Sequence, residues 1–223
     1  MRANFYVDGY NFYSGLCEAG LHGFIWINLQ GLCEHMIREN DTLGRIRYFT
    51  CLPHHDTRKL RDHKIYISAL EAVCPAVEVF YGDFAKVGPA ITCKNKDCGN
   101  IFDPPVAQCP VCQWKKRPTT HIEKQTDVSL AVNLVKDAFD DDFDVAYIVS
   151  GDTDLIPAIE MVRQLDDTKK VGVLFPPARE HEGFRGVARF AIPIRAHEIK
   201  KHQLDDPVQS SHGDIKKPDT WRP

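Results

Sequence analysis

Two hydrophobic periods alternate along this chain. Short solid apolar runs, rich in β-branched and aromatic residues, occupy 5–7, 46–51, 77–81, 145–149, 171–175 and 190–193. Runs of that kind, bounded by Gly, Pro or Asp, predict buried strands. Between them lie stripes at helical spacing. Leu29, Leu32, Cys33, Met36 and Ile37 form one face within 27–38, and Val128, Ala131, Val132, Leu134, Val135 and Ala138 another within 126–138. Further stretches at 58–72, 155–165 and 196–202 complete the helical set. Thr126 is a good N-cap for its helix, and Pro157 is tolerated because it falls in a first turn. Alternating strands and helices predict an α/β fold, a Rossmann-like three-layer arrangement around a parallel sheet.

The pattern breaks between about 87 and 122, where Pro, Cys, Lys and Asn replace both periods. This divides the chain into a first part of the main domain at 1–86, an insertion at 87–122, a second part at 123–204 and a polar tail at 205–223. The tail's composition predicts disorder. Within the insertion, Cys93 and Cys98 form one close pair and Cys109 and Cys112 another. Four thiolates at such spacing suit a tetrahedral Zn2+ with every position filled, hence structural zinc in a small ribbon-like module. Lys94, Lys96, Lys115, Lys116 and Arg117, with Trp114 among them, make the segment basic and aromatic. Such a surface can grip a phosphate backbone, or simply keep a small module dissolved.

Charge and length narrow the picture further. A formal net charge of -3 over 223 residues excludes coating nucleic acid by bulk positive charge and leaves only a local patch. No apolar stretch approaches the length of a membrane span, and no apolar signal region precedes the first strand. The expectation is a cytoplasmic protein whose eight cysteines are reduced.

Candidate chemistry gathers where predicted strands end. The run 145–149 stops at Ser150-Gly151-Asp152-Thr153-Asp154, and the run 5–7 at Asp8-Gly9-Tyr10-Asn11. In open α/β sheets, reactive groups sit just past the carboxyl ends of parallel strands. Asp127 begins the helix that leads into 145–149, which brings it to the same edge. Plainer roles stand beside these: Asp152 and Asp154 as helix caps, Asp8 and Asn11 as an Asx turn, Asp127 as a partner of the helix dipole. His54, His55 and Asp56 are better explained by capping of the helix that follows than by a metal. Asp140, Asp141, Asp142 and Asp144 belong to the opposite end of the layer. Arg179, His181 and Arg185 follow the strand at 171–175, where Arg179 in particular could meet an anionic substrate.

Taken together, Tyr6-Val7-Asp8-Gly9-Tyr10-Asn11, Thr126-Asp127-Val128 and Ser150-Gly151-Asp152-Thr153-Asp154 resemble the NYN domain family, PIN-like nucleases that include LabA-type proteins. The likeness runs from about 4 to 199, interrupted by the cysteine segment. It implies a divalent-metal site and RNA cleavage, with Asp8, Asp127, Asp152 and Asp154 as metal-binding acids and Asn11 as their helper. Hard cations such as Mg2+ or Mn2+ take carboxylate oxygens and retain water, so acids at one sheet edge suit that chemistry. The alternative is a non-catalytic, RNA-binding or regulatory protein, a PIN-like scaffold that binds RNA or a protein partner without cutting. A homo-oligomer is compatible with either, and nothing in the sequence specifies its contact.

Overall fold

A computed structural model describes residues 1–86, 91–93, 95, 97–102, 109–113 and 121–222. In chain order the elements are β1 (Arg2–Asp8), α1 (Gly9–Glu18), α2 (Leu29–Met36), β2 (Thr42–Thr50), α3 (Thr57–Val73), β3 (Val77–Tyr81), β4 (Asp83–Lys86), β5 (Ile91–Thr92), β6 (Ile101–Phe102) and β7 (His121–Lys124). There follow α4 (Thr126–Phe139), β8 (Val145–Val149), α5 (Ile156–Leu165), β9 (Lys170–Phe175), β10 (Phe190–Pro193) and α6 (Ala196–Lys201). Six strands form one sheet in the order β10-β9-β8-β1-β2-β3, every neighbouring pair parallel.

Side-chain alternation in the strands builds the layers. Phe5, Val7, Tyr147, Val149 and Leu174 face one way, into a core shared with α1, α2, α3 and α6. Tyr6, Ala146, Ile148, Val171 and Val173 face the other way, onto Leu130, Leu134 and Ala138 of α4 and Ala158, Ile159 and Val162 of α5. The result is the expected three-layer α/β arrangement. Beneath α4 the second core carries one ionic cluster: the Tyr6 hydroxyl donates to Asp137 at 2.6 Å, and Arg47 holds the other oxygen at 2.8 Å. With both partners buried, each needs the other to remain hydrogen-bonded. Among the described residues no helix is long and apolar enough to cross a membrane.

Topology sets where chemistry can sit. β1 leads through β2 to β3 on one side, and the chain then returns to place β8 against the other flank of β1. The sheet therefore reverses direction of growth between β1 and β8, and a crevice opens beyond their carboxyl ends.

Several expectations change. The stretch after Asp8 is a helix, α1, rather than an isolated Asx turn. The Asp8 side chain caps it by accepting the Asn11 N–H at 2.9 Å. The helix expected at 27–38 is shorter, with Asn28 as its cap. Gln125, at φ 76°, takes the N-cap position of α4, so Thr126 is a buried first-turn residue and not the cap. Asp56 does cap α3, accepting from the Arg58 and Lys59 N–H groups. The predicted disordered tail is corrected outright. Val208 is buried and forms a β-bridge with Ile215, and the Thr220 hydroxyl donates to Asp62 at 2.5 Å. Trp221 packs edge-on against Trp26 and Tyr66, with ring centroids 6.3 and 5.7 Å away. Widely spaced apolar residues carry no period, yet each fills a place on a core built elsewhere.

Candidate active site at the carboxyl edge of the sheet

Asp8 ends β1 with its side chain on the α4 face, 4% exposed. Its two oxygens are held separately, one by the Asn11 N–H and the other by the Ser150 hydroxyl at 2.9 Å. Ser150 is fully buried at the end of β8, and its oxygen in turn accepts the Asp152 N–H at 3.1 Å. One hydroxyl thus links the acids of two neighbouring strands. Asn11 braces the same junction from α1, its side-chain oxygen accepting the Gly151 N–H at 3.1 Å. Gly151 leaves no alternative to glycine: a Cβ there would run into the backbone carbonyl of Arg179.

Asp127 opens α4 and Asp152 caps the short 3-10 turn Thr153–Leu155, accepting the Asp154 N–H at 2.9 Å. Burial falls from floor to rim, with Asp8 enclosed, Asp127 and Asp152 half-buried and Asp154 exposed. Burial pushes the Asp8 carboxyl from 3.8 up to about 7, opposed by its two hydrogen bonds and reinforced by the charges of Asp127 and Glu123. The Asp127 carboxyl is raised as well, first by burial and then by Asp152 and Asp154. Asp127 is the link: its charge acts on Asp8, and the charges of Asp152 and Asp154 act on it, so these influences join residues of β1, α4 and the exit of β8 at one edge. They also show what lies around them: further carboxylate. Like charges of this kind are relieved by a divalent cation, and oxygen-only donors suit a hard one.

Two participants were not anticipated. Ser150 lay inside the quoted motif at the end of a solid apolar run, but only its burial in the structure sets it apart. Glu123, at the end of β7, adds a fifth carboxylate, raised by burial and by Asp127, with one oxygen buried and unpaired. The broken periodicity of the insertion hid the strand that delivers it. Arg179 lies beside Gly151, but its guanidinium is bonded to Glu18 at 2.6 Å. That ion pair occupies one guanidinium nitrogen, while its Nε is buried without a hydrogen-bond partner among the described residues. Lys94, Lys96, Lys115, Lys116 and Arg117 lie outside the described residues.

The cysteines meet as a separate cluster. β4 and β7 pair antiparallel, and β5 with β6 form a small hairpin beyond them. Cys93, Cys98, Cys109 and Cys112 bring their sulfurs within 4.8 Å of one another, unlinked by disulfides. Sulfur separations of 3.5 Å for Cys93–Cys112 and 3.8 Å for Cys98–Cys109 approach the edge of a tetrahedron with Zn–S bonds of about 2.3 Å. The Asn95 N–H and the Asn100 amide point at two of the sulfurs, as outer partners of thiolate ligands do. The set fits zinc. The aspartates are more widely spread: among the described residues the four cysteines alone converge this closely.

Comparison with known proteins places these features. The chain is 29% identical, over 99% of its own length and 75% of the relative's, to 6-hydroxy-3-succinoylpyridine 3-monooxygenase HspA of Pseudomonas putida (strain DSM 28022 / S16). A crystal structure of a protein of unknown function from Vibrio parahaemolyticus RIMD 2210633 covers 87% of this chain and 93% of its own, at 18% identity and a TM-score of 0.49. The family profile described as the NYN domain matches residues 3–193, both parts of the sheet and all four edge aspartates included. The chain belongs to the NYN domain family, whose fold is that of PIN-like nucleases.

Proposed function

We propose that this protein is a ribonuclease that hydrolyses RNA phosphodiester bonds with Mg2+ or Mn2+ held by Asp8, Asp127, Asp152 and Asp154. The observation that carries the reading is the convergence of these four acids from three separate stretches at the switch point of a nuclease-family sheet. A cation bound there would neutralise charge gathering on the scissile phosphate and lower the pKa of a bound water. The chain's own groups position the rest. Asn11 N–H and Ser150 fix both oxygens of Asp8, and the Asn11 side chain holds the Gly151 backbone from which Asp152 projects. Asp154, exposed at the rim, is the acid placed to accept the proton of an attacking water. The four cysteines hold a structural Zn2+, and the basic residues around them are the proposed grip on the RNA backbone.

The test is cleavage of a pool of labelled single-stranded and structured RNAs in Mg2+ or Mn2+ against EDTA. Wild type is expected to cut only with metal, and Asp152→Asn to lose at least a hundredfold in rate. Cutting that survives in the variant or in EDTA refutes this assignment of the acids. A second reading, action on a free heteroaromatic compound, draws on the printed name of the P. putida relative and on an aromatic-walled cavity beside Asp8. Failure of every RNA to be cut, with the protein folded, would favour it.

A further inference from the structure

A cavity of about 220 Å³ lies on the other side of the β1–α1 junction from the acids. Gly9 and Tyr10, which directly follow Asp8, contribute to its wall, together with Tyr13, Tyr48, Tyr66 and Trp221. Much of this wall is aromatic, with Leu16, Ile25, Ile27 and Pro53 between the rings, and it is rigid: Tyr66 is buried with its hydroxyl bonded to the Ile27 carbonyl at 2.9 Å and packs edge-on against Tyr48 and Trp221. Besides the exposed His55 and Lys59, a more deeply set polar pair belongs to this surface. The Thr50 hydroxyl and His63 Nε2 lie 3.1 Å apart, and both residues line the cavity. Burial lowers the His63 pKa to about 4, so the imidazole is neutral and can present either a donor or an acceptor.

Sites for drug-sized ligands run from about 300 to 1,000 Å³. This one is smaller, with room for one mono- or bicyclic ring and not for a whole nucleotide. Aromatic walls with one polar pair suit a flat ring that stacks on its faces and is read at its edge. An aliphatic chain would gain nothing from the stacking surfaces, and a cationic group would find no carboxylate among the lining residues, whose one lysine, Lys59, favours a neutral or anionic substituent on the ring.

We propose that this cavity binds a single planar heteroaromatic ring, with Thr50 and His63 reading its edge. Resting on the ribonuclease reading, the ring is the base of a nucleotide next to the bond being cut, turned out of the strand while its phosphate lies over the acids. Gly9, shared by the cavity wall and the backbone that follows Asp8, makes the two sites neighbours. A free heteroaromatic molecule presents the same chemistry, and the experiment separates the sources.

Asp152→Asn protein, which binds without turnover, is titrated calorimetrically with uridine, adenosine and 2-hydroxypyridine, alone and with Thr50→Val added. Thr50→Val keeps the shape and removes the hydroxyl. Thermal unfolding checks the fold, and Tyr13→Ala, at the partly exposed mouth, serves as a second variant. In parallel, wild type is given RNAs carrying one abasic position at each place around the cut. Saturable nucleoside binding, weakened tenfold or more by either variant, with one abasic position that slows cleavage at least tenfold, upholds the proposal with RNA as the source. Saturable 2-hydroxypyridine binding with cleavage indifferent to abasic positions upholds the ring site and assigns it to a free ligand. Ring binding without cleavage of any RNA would sink the nuclease reading and leave the ring site standing. No saturable binding of any ring overturns the proposal, whatever the cleavage assay shows.

Discussion

Asp8 is a carboxyl group in a place water barely reaches, and this has a measurable cost. In the metal-free fold its pKa rises from 3.8 to about 7 through burial. Between those values the folded chain keeps a proton that the unfolded chain has released, so the stabilisation is complete below 3.8 and is lost as pH rises through about 7. The slope approaches 1.4 kcal/mol per pH unit at most. In EDTA, Asp8→Asn is therefore expected to unfold close to wild type at pH 4 and at a clearly higher temperature at pH 8. Equal unfolding temperatures at both pH values would show that Asp8 carries no such burden. Adding the cation should stabilise wild type and not the variant, because only the carboxylate is relieved by it. The sequence exposed this residue for a simple reason: an acid that ends a solid apolar run has few structural excuses. The positions of Asp152 and Asp127 near the same sheet edge were legible by the same logic of strand ends and helix starts, whereas their role as metal ligands belongs to the proposal. Capping does not remove a residue from the acid group, since Asp8 and Asp152 each cap a helical turn while standing in it. Ser150 and Glu123 were not legible, because a serine announces nothing until its burial is known, and Glu123 arrives from a strand without a period.

At the scale of elements, strands and amphipathic helices were readable because each buries a regular stripe. α1 was not, since Tyr10, Asn11, Tyr13 and Ser14 leave it only Phe12, Gly15 and Leu16 to bury along with Gly9. The C-terminal segment escaped for a similar reason: Val208, Ile215 and Trp221 reach the core one at a time. Trp221→Ala removes a ring lodged between Trp26 and Tyr66. Since Trp221 is only half-buried, the expected loss is about 2 kcal/mol, below the 3–5 typical of fully buried aromatics. Denaturant unfolding measures it, and an unchanged midpoint would mean the segment adds no stability. The cysteine cluster packs as a unit of its own, apart from both sheet cores. Cys112→Ser should abolish stoichiometric zinc, read by a colorimetric chelator, while the main unfolding transition moves by less than about 1 kcal/mol. A large shift would show that the zinc site supports the sheet.

For the whole molecule, the alternation of runs and stripes implied a parallel sheet but not its order. The order is a long-range matter, decided by which apolar faces remain uncovered once helices have packed, and no local pattern encodes it. The feature with the widest reach is the middle position of β1. Its two flanks are closed at very different times along the chain: β2 follows after about thirty residues, whereas the Asp8–Ser150 contact joins residues 142 apart. At synthesis rates of about 5–20 residues per second, β1 waits roughly 7–28 s on the ribosome for β8. During that wait a newly made chain carries an open, apolar strand edge, the kind that pairs readily with a neighbour on the same message. Slow decoding ahead of β8 would lengthen that exposure, and fast decoding would shorten it.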